Sequence, residues 1–255
     1  MVWGMRLPDS FGEFFPDGDF EYDPKAKESG WRERLRLHYL AQAPEEQLRL
    51  FDYRGFDHGG NGVGYGAGEY PSYVSGKFTY GMGGKAGPDS LPFSAAEAHE
   101  APLTFDLEKT YATLGSLIKL NSRIPAVDEA LKSLIERLEP GVHQFFPIEI
   151  RMPKGRVFEK DYFTLITGQY CDSFSPERSK TDAYRTYAEY PGFYNFEKSK
   201  KGISGLALIK AHFGSVHLWR ERAFRETLTC FSDELMAEIA QTGLRVPTHY
   251  KMKEV

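Results

Sequence analysis

The order of helix-like and strand-like segments restricts the fold of this 255-residue chain more than any other feature. Apolar residues recur at helical spacing in residues 30–50, where Pro44 begins a second helix, from Ile124 to Leu138, and from Ser232 to Gly243. Strand patterns lie in residues 102–107, 142–150, 157–171, 204–211, 216–219 and 227–231. Because helices and strands do not alternate strictly, we predict an α+β fold with a largely antiparallel sheet flanked by helices.

Glycine is concentrated in the N-terminal half, where residues 55–87 hold twelve of the 25 glycines. Ordering such a segment costs much conformational entropy, so we expect a long loop or a set of tight turns there. Residues 70–80 are predicted to form one strand inside it. We therefore divide the chain into an irregular and helical lobe at residues 1–100 and an α+β domain at residues 101–255. A single continuous domain is the alternative.

Charge and composition narrow the kinds of partner. The net charge is −4, which argues against a nucleic-acid partner, because such binding rests on Lys and Arg at phosphates. The same charge favours a basic partner. Two isolated cysteines, Cys171 and Cys230, are typical of reduced intracellular thiols. No apolar run is long enough to span a bilayer and the first residues resemble no secretion signal, so we expect a cytoplasmic protein without a membrane partner.

Local motifs of catalysis are incomplete. The sequence around Gly84-Lys85 resembles a phosphate-binding loop, but Thr79 replaces its first glycine and Ala86 its Ser or Thr. None of the seven histidines has the spacing of a metal-binding pair, and neither cysteine has a ligand two residues away. We therefore predict no catalytic residues, no metal and no cofactor. The alternative is a hydrolase with a pocket beside the glycine-rich loop.

An acidic stretch near the start is the first candidate binding feature. It contains no Lys or Arg and carries Asp9, Glu13, Asp17, Asp19, Glu21 and Asp23. Such a stretch can attract a basic partner, for example the nucleic-acid groove of a nuclease. The alternative is a solvated terminus that its phenylalanines hold against the core.

A tyrosine-rich stretch is the second candidate. It contains Asp182, Tyr184, Tyr187, Tyr190 and Tyr194. Tyrosine offers a large contact area at low entropic cost, so this segment is a candidate protein-binding surface. The alternative is a helix that places a stripe of tyrosines on the core.

The C-terminal half carries a family resemblance. Phe145-Phe146-Pro147 follows a helix that ends in Glu-Pro-Gly-Val, and then come Tyr162-Phe163-Thr164-Leu165-Ile166, Asp172, Ser179, a strand and cap at residues 229–232, and a helix at residues 235–243. From about Ile124 to Pro247 the chain resembles the immunity protein family of bacterial polymorphic toxin systems that was first named from a myxobacterial member. The glycine-rich segment 55–87 has no counterpart in this resemblance.

The resemblance implies a cytoplasmic antidote encoded beside its toxin. Its partner would be the cognate toxin domain from a neighbouring gene, with a nuclease as one candidate class, and binding would occlude the toxin's active site. The resemblance transfers no catalytic residue. Two other hypotheses stay open from the sequence: the hydrolase named above, and an adaptor protein unrelated to toxins.

Overall fold

The computed structural model of the chain describes residues 1–23, 28–50, 66–80, 95–186, 192–224, 226 and 228–255. Its helices are α1 (Gly30–Ala41), α2 (Pro44–Leu50), α3 (Tyr70–Tyr80), α4 (Glu129–Leu138), α5 (Lys200–Ile203), α6 (Lys210–Phe213) and α7 (Asp233–Gln241). Its strands are β1 (Val2–Met5), β2 (Gly18–Phe20), β3 (Tyr22–Asp23), β4 (Glu28–Ser29), β5 (Thr104–Leu107), β6 (Leu117–Lys119), β7 (Pro125–Asp128), β8 (Gln144–Met152), β9 (Arg156–Val157), β10 (Tyr162–Ile166), β11 (Tyr170–Cys171), β12 (Tyr184–Thr186), β13 (Tyr194–Phe196), β14 (Ala207–Leu208), β15 (Leu218–Glu221), β16 (Leu228–Ser232) and β17 (His249–Glu254).

The larger sheet has the strand order β2-β5-β8-β10-β7-β6, with β9 paired to the end of β8. Side chains alternate between its two faces, as strand geometry requires. On β10, Tyr162 and Ile166 pack into an aromatic-rich core together with Trp31 of α1 and Phe78 of α3. Leu165 points to the other face and packs into a second core that α4 and α7 complete. The larger sheet is therefore a layer between two apolar clusters.

The second sheet has the order β11-β15-β16-β1-β17-β14. Its central strand β1 pairs antiparallel with β16 on one side and with β17 on the other, so Gly4 lies opposite both Cys230 and Tyr250. Both sheets are mixed, since β5–β8, β11–β15 and β14–β17 pair in parallel. The fold class is α+β, as predicted, and both sheets combine parallel with antiparallel pairs.

The division at residue 100 stays a prediction. Any such boundary would have to separate strands that are hydrogen-bonded to each other, namely β1 from β16 and β17, and β2 from β5. Of the glycine-rich loop, residues 55–65 and 81–87 lie outside the described residues.

Two local predictions are wrong. Residues 70–80 form helix α3, with Tyr70, Val74 and Phe78 buried at a spacing of four residues. The predicted helix from Ile124 begins as strand β7, and α4 starts only after Asp128, whose side chain accepts a hydrogen bond from the Leu131 amide. In residues 70–80 the aromatic and β-branched residues gave a misleading local preference, and after Ile124 the proline did so. In the second case the carboxylate that caps α4 marks the true start of the helix.

The ends of α7 confirm the predicted signals. Ser232 is the N-cap and its side chain accepts a hydrogen bond from the Leu235 amide. Gly243 follows the helix with φ +68°, a conformation that glycine adopts without the Cβ penalty.

Cys171 and Cys230 are both buried free thiols. None of the helices that the structure describes is long and apolar enough to cross a bilayer.

Candidate functional site

One face of the larger sheet is covered by helices across only part of its width. Val127 of β7 and Leu165 of β10 lie beneath α4 and α7 in the second core. The strand register places odd-numbered residues of β8 on the same face as Leu165, because Leu165 pairs with Phe145. Towards β5 and β2 this face stays accessible, and Glu149 and Arg151 of β8 expose 43% and 44% of their side chains.

The accessible region is called the open face here and is defined by five outward residues. They are Asp19 of β2, Asp106 of β5, and Pro147, Glu149 and Arg151 of β8. Asp19 lies directly opposite Asp106, and Asp106 lies opposite Arg151. The inward neighbours Phe20, Phe105 and Ile150 fill the aromatic-rich core, so packing fixes which residues face outward.

The open face carries more negative than positive charge. Its single cation, Arg151, donates a hydrogen bond from Nε to Glu149 Oε1 over 2.5 Å. That bond raises the pKa of Arg151 above its ordinary value, and the charges of Glu149, Asp106 and Glu21 add to the effect. Asp19 and Asp106 remain directly opposite each other, an arrangement that costs stability because like charges repel across a strand pair.

Both aspartates are held in place by polar contacts. Asp106 Oδ2 accepts the Tyr22 amide at 2.9 Å, and Asp19 Oδ1 accepts the Phe20 amide at 2.8 Å and Asn121 Nδ2 at 3.2 Å. None of these donors is a cation. Asp19 therefore keeps its charge available to an external Lys or Arg, while the charge of Asp106 also acts on Arg151 across the strand pair.

Further acidic and apolar residues border the open face. The Glu108 amide donates to the Asp17 carbonyl over 3.0 Å, which extends the pairing of β2 with β5 by these two acidic residues. Tyr22 and Leu103 expose 43% and 56% of their surface beside Asp106 and Glu21. Aromatic side chains are enriched at the centre of protein-binding surfaces, and a polar rim usually surrounds them. The geometry suits a basic protein surface.

The acidic residues of the predicted stretch lie in several different environments of the structure. Asp19 belongs to the open face, and Asp17 and Glu21 border it. Glu21 is tied to Arg34 by two hydrogen bonds of 2.7 and 3.0 Å. Glu13 pairs with Arg245 in another part of the surface. The remaining two are apart from these: Asp9 is exposed, 3.5 Å from Arg6, and Asp23 lies in β3.

The predicted tyrosine surface is a hairpin. Tyr184 of β12 and Tyr194 of β13 lie 5.4 Å apart between ring centroids, and both rings pack against Phe174 at 5.2 and 4.9 Å. Both are half-buried and lie on strands, so the alternative of a tyrosine helix is wrong for the described residues, although the contact with the core that it implied is present. Asp182 is exposed and lies 3.7 Å from Lys201. Tyr187 and Tyr190 are outside the described residues.

Buried polar groups beside α3 bear on the hydrolase hypothesis. Lys77 Nζ donates to both oxygens of Glu100, at 2.7 and 2.8 Å, and the Tyr70 hydroxyl donates to the same carboxylate at 3.0 Å. Burial raises the pKa of Tyr70, with the nearby Glu100 charge as the second cause. The Lys77 and Glu100 side chains are 5% and 2% exposed, so the pair is an internal one with little access for a substrate.

Across the described part of the chain, no group of three or more His, Cys, Asp or Glu side chains is placed to hold an ion.

No local sequence signal pointed to Asp106, Glu149 and Arg151 as members of one surface. They belong to strands that are distant along the chain from the acidic stretch, and only the pairing of β2, β5 and β8 brings them beside Asp19. The alternating pattern of β8, in which Ile148, Ile150 and Met152 are buried, contained the necessary signal for its outward residues. Nothing local indicated that β5 would lie between β2 and β8.

Comparison with known protein families identifies a match over most of the chain. Residues 53–254 match the immunity protein family Imm11, a span that includes the glycine-rich segment and extends the resemblance well beyond residues 124–247. No curated protein matches the chain. Because the match covers most of the sequence, the chain belongs to the Imm11 immunity protein family.

Proposed function

We propose that this protein binds a cognate bacterial toxin, encoded by a neighbouring gene, and neutralises it in the cytoplasm by covering its active site. Membership of an immunity protein family supports the toxin as partner. The observation that carries the choice of surface is the open face, where Asp19, Asp106 and Glu149 outnumber Arg151.

The charge of the open face suggests which toxins it fits. A toxin that acts on nucleic acid needs Lys and Arg in its substrate groove, and these side chains would meet the carboxylates of Asp19 and Asp106. The repulsion between the two aspartates would be relieved in the complex, since a cation placed between them offsets both charges. A nuclease is therefore the toxin class that we favour.

Apolar contacts would supply much of the affinity. Tyr22 and Leu103 are exposed at the border of the open face, and Pro147 lies within it. Aromatic and apolar groups at the centre of an interface usually contribute more affinity than charges at its rim. A stable complex would bury roughly 800 Å² on each partner, an area larger than the open face alone.

The hairpin of β12 and β13 is a second candidate contact. It carries exposed Asp182 together with the partly accessible rings of Tyr184 and Tyr194. The rings are anchored on Phe174, so little side-chain entropy would be lost when a partner covers them. Substitution of Tyr184 or Tyr194 by Ala would also disturb the core, so Asp182→Asn is the safer probe of this segment.

Co-expression with the toxin encoded next to this chain tests the proposal. We expect the wild-type protein to restore growth, the Asp19→Asn/Asp106→Asn variant to protect less well, and Glu45→Gln/Glu177→Gln to protect like wild type. The control removes the same charge from exposed positions on α2 and near Pro176. Equal toxicity with and without the wild-type protein would reject the proposal.

Titration of purified toxin separates binding from catalysis. A binding protein inhibits fully only when it reaches the concentration of the toxin, whereas a hydrolase that removes the toxin's product protects at much lower ratios. An adaptor unrelated to toxins would leave toxin activity unchanged at every ratio.

A further inference from the structure

Two phenylalanines and a proline form a partly exposed apolar surface between the open face and helix α4. They are Phe145 and Pro147 of β8 and Phe163 of β10, and together they are called the aromatic shelf here. Phe163 lies directly opposite Pro147, and Phe145 precedes Pro147 by two residues on the same strand. Because opposite residues, and residues two apart on a strand, point to the same side, the three side chains share one face of the larger sheet.

The shelf is only partly covered by the described part of the chain. Phe145 and Phe163 pack against the edge of the second core and are half-buried, whereas Pro147 is exposed. Since the core restricts both rings, little side-chain entropy would be lost when a partner covers them. Aromatic side chains also bury a large apolar area on contact. The shelf is therefore suited to contact an apolar group of another protein.

Helix α4 places a lysine over both rings of the shelf. Nζ of Lys132 lies 4.8 Å from the centre of the Phe163 ring and 5.9 Å from the centre of the Phe145 ring. The same ammonium lies 2.9 Å from Glu136 and 3.5 Å from Glu129. Both carboxylates are about half exposed and share this one cation, whose side chain is 19% exposed. Negative charge is therefore in excess at this edge of the shelf.

The aromatic shelf continues into the open face. Pro147 belongs to both surfaces, and Glu149 follows it on the same face of β8. Carboxylates therefore border the shelf on two sides, with Glu149 on one side and Glu129 and Glu136 on the other. An apolar centre with a polar rim is the usual arrangement of a protein interface. The charge of this rim complements a basic partner.

We propose that the aromatic shelf is the apolar anchor site for the toxin. A toxin segment places an aliphatic or aromatic side chain on Phe163 and Pro147, and a neighbouring Lys or Arg beside Glu136. This assignment rests on the proposed function and adds an apolar centre to an interface whose charged part is the open face. The anchor sets the lifetime of the complex, because contacts at the centre of an interface act mainly on dissociation, whereas accessible charges act mainly on association.

Association and dissociation rates of the full chain with the toxin from the neighbouring gene, measured by surface plasmon resonance, test this proposal. We expect Pro147→Gln to dissociate about fivefold faster than wild type and to associate at the same rate. Phe163→Ala should dissociate at least about tenfold faster. This substitution also removes a contact with the second core, so Pro147→Gln decides the question if Phe163→Ala fails to fold.

Two further variants complete the test. Leu37→Gln removes an exposed apolar side chain from α1, which packs on the opposite face of the larger sheet, and should dissociate like wild type. Glu129→Gln/Glu136→Gln should associate several-fold more slowly at low salt and at the wild-type rate at high salt, because salt screens the attraction of a basic segment.

The outcomes separate the anchor site from the proposed function. If the wild-type protein does not bind the toxin, both are rejected. If it binds, the anchor site alone is overturned when Pro147→Gln dissociates like Leu37→Gln, or when Glu129→Gln/Glu136→Gln associates like wild type at low salt. Self-association of the wild-type chain that Pro147→Gln abolishes, measured by analytical ultracentrifugation, would assign the shelf to a second copy and would also overturn the proposal.

Discussion

Removing the facing aspartates of the open face should leave the fold intact and impair only binding. Asp19 and Asp106 are directly opposite on β2 and β5, where Cβ atoms lie about 5 Å apart. Two unit charges at about 5 Å in water repel by about 0.8 kcal/mol. Screening at physiological salt reduces this to about 0.4 kcal/mol. Since Asn retains an acceptor for the Tyr22 and Phe20 amides, Asp19→Asn/Asp106→Asn should unfold with equal or slightly higher free energy.

The same double variant should bind the toxin more slowly. Carboxylates at an accessible surface act mainly on the rate of association, because they steer a basic partner before contact. We expect association about tenfold slower than wild type at low salt. In high salt the difference should nearly vanish, since screening shortens the range of the charges to a few ångströms.

Two measurements on each variant check this prediction: urea unfolding for stability, and stopped-flow association with the toxin at low and high salt. Glu45→Gln/Glu177→Gln is the matched control for lost charge. Association of the aspartate variant at the control's rate in low salt would refute the steering role. Unfolding at a free energy lower by more than about 1 kcal/mol would show that the aspartates serve the fold.

Three further predictions concern buried and capping groups. Burial raises the pKa of Glu221 to about 7, so the stabilising effect of this group is complete below the ordinary pKa of Glu and is lost as pH rises towards 7. Urea unfolding from pH 4.5 to 7 should show about 3 kcal/mol of this loss in wild type relative to Glu221→Gln. Parallel curves of unfolding free energy against pH for the two proteins would contradict this prediction. Burial by itself would raise the pKa of Glu139, but hydrogen bonds from His143, the His217 amide and Gln169 lower it, and the Leu218 amide donates a fourth hydrogen bond to the same carboxylate. Glu139→Gln places an amide against these donors and should cost about 2–4 kcal/mol in unfolding. A loss under about 0.5 kcal/mol would be inconsistent with the network. Ser232→Ala removes the cap on the Leu235 amide and should cost about 1 kcal/mol, with Ser232→Asp, which can still cap, retaining most of the stability in the same assay.

Capping signals were the most dependable guide from the sequence. Ser232 and Gly243 mark the ends of α7 because each acts through its own backbone and a few neighbouring amides. The spacing of Leu131, Leu134 and Ile135 similarly identified α4, although its start was placed too early. Such features need no knowledge of the rest of the fold.

Helix α3 shows where local preference fails. Tyr, Val, Phe and Thr favour strands, and they dominate residues 70–80. Pro71 in the first turn and the four-residue spacing of buried side chains favour a helix. Packing against Trp31 of α1 decides between helix and strand, because the ring centroids of Phe78 and Trp31 lie 6.1 Å apart in an edge contact. That contact joins residues far apart in the sequence.

The open face depends on long-range pairing to a greater degree. Asp19 was identified from its acidic neighbourhood in the sequence. In the fold its surroundings are different, because Asp106 lies opposite it and Arg151 lies opposite Asp106 on the next strand. Strand order in a mixed sheet follows from tertiary packing, and the chain around β5 holds no signal of its place between β2 and β8. Outward residues were therefore predictable strand by strand, and the surface that they form together was not.

Carboxyl footprinting of the complex with the toxin tests the central claim most directly. Free and toxin-bound protein are labelled at Asp and Glu side chains, and labelling is quantified at each position by mass spectrometry. The account predicts that labelling of Asp19, Asp106 and Glu149 falls in the complex while Glu45 and Glu177 react as before. Unchanged labelling of the open face in a stable complex would contradict it, and the toxin would then have to bind elsewhere.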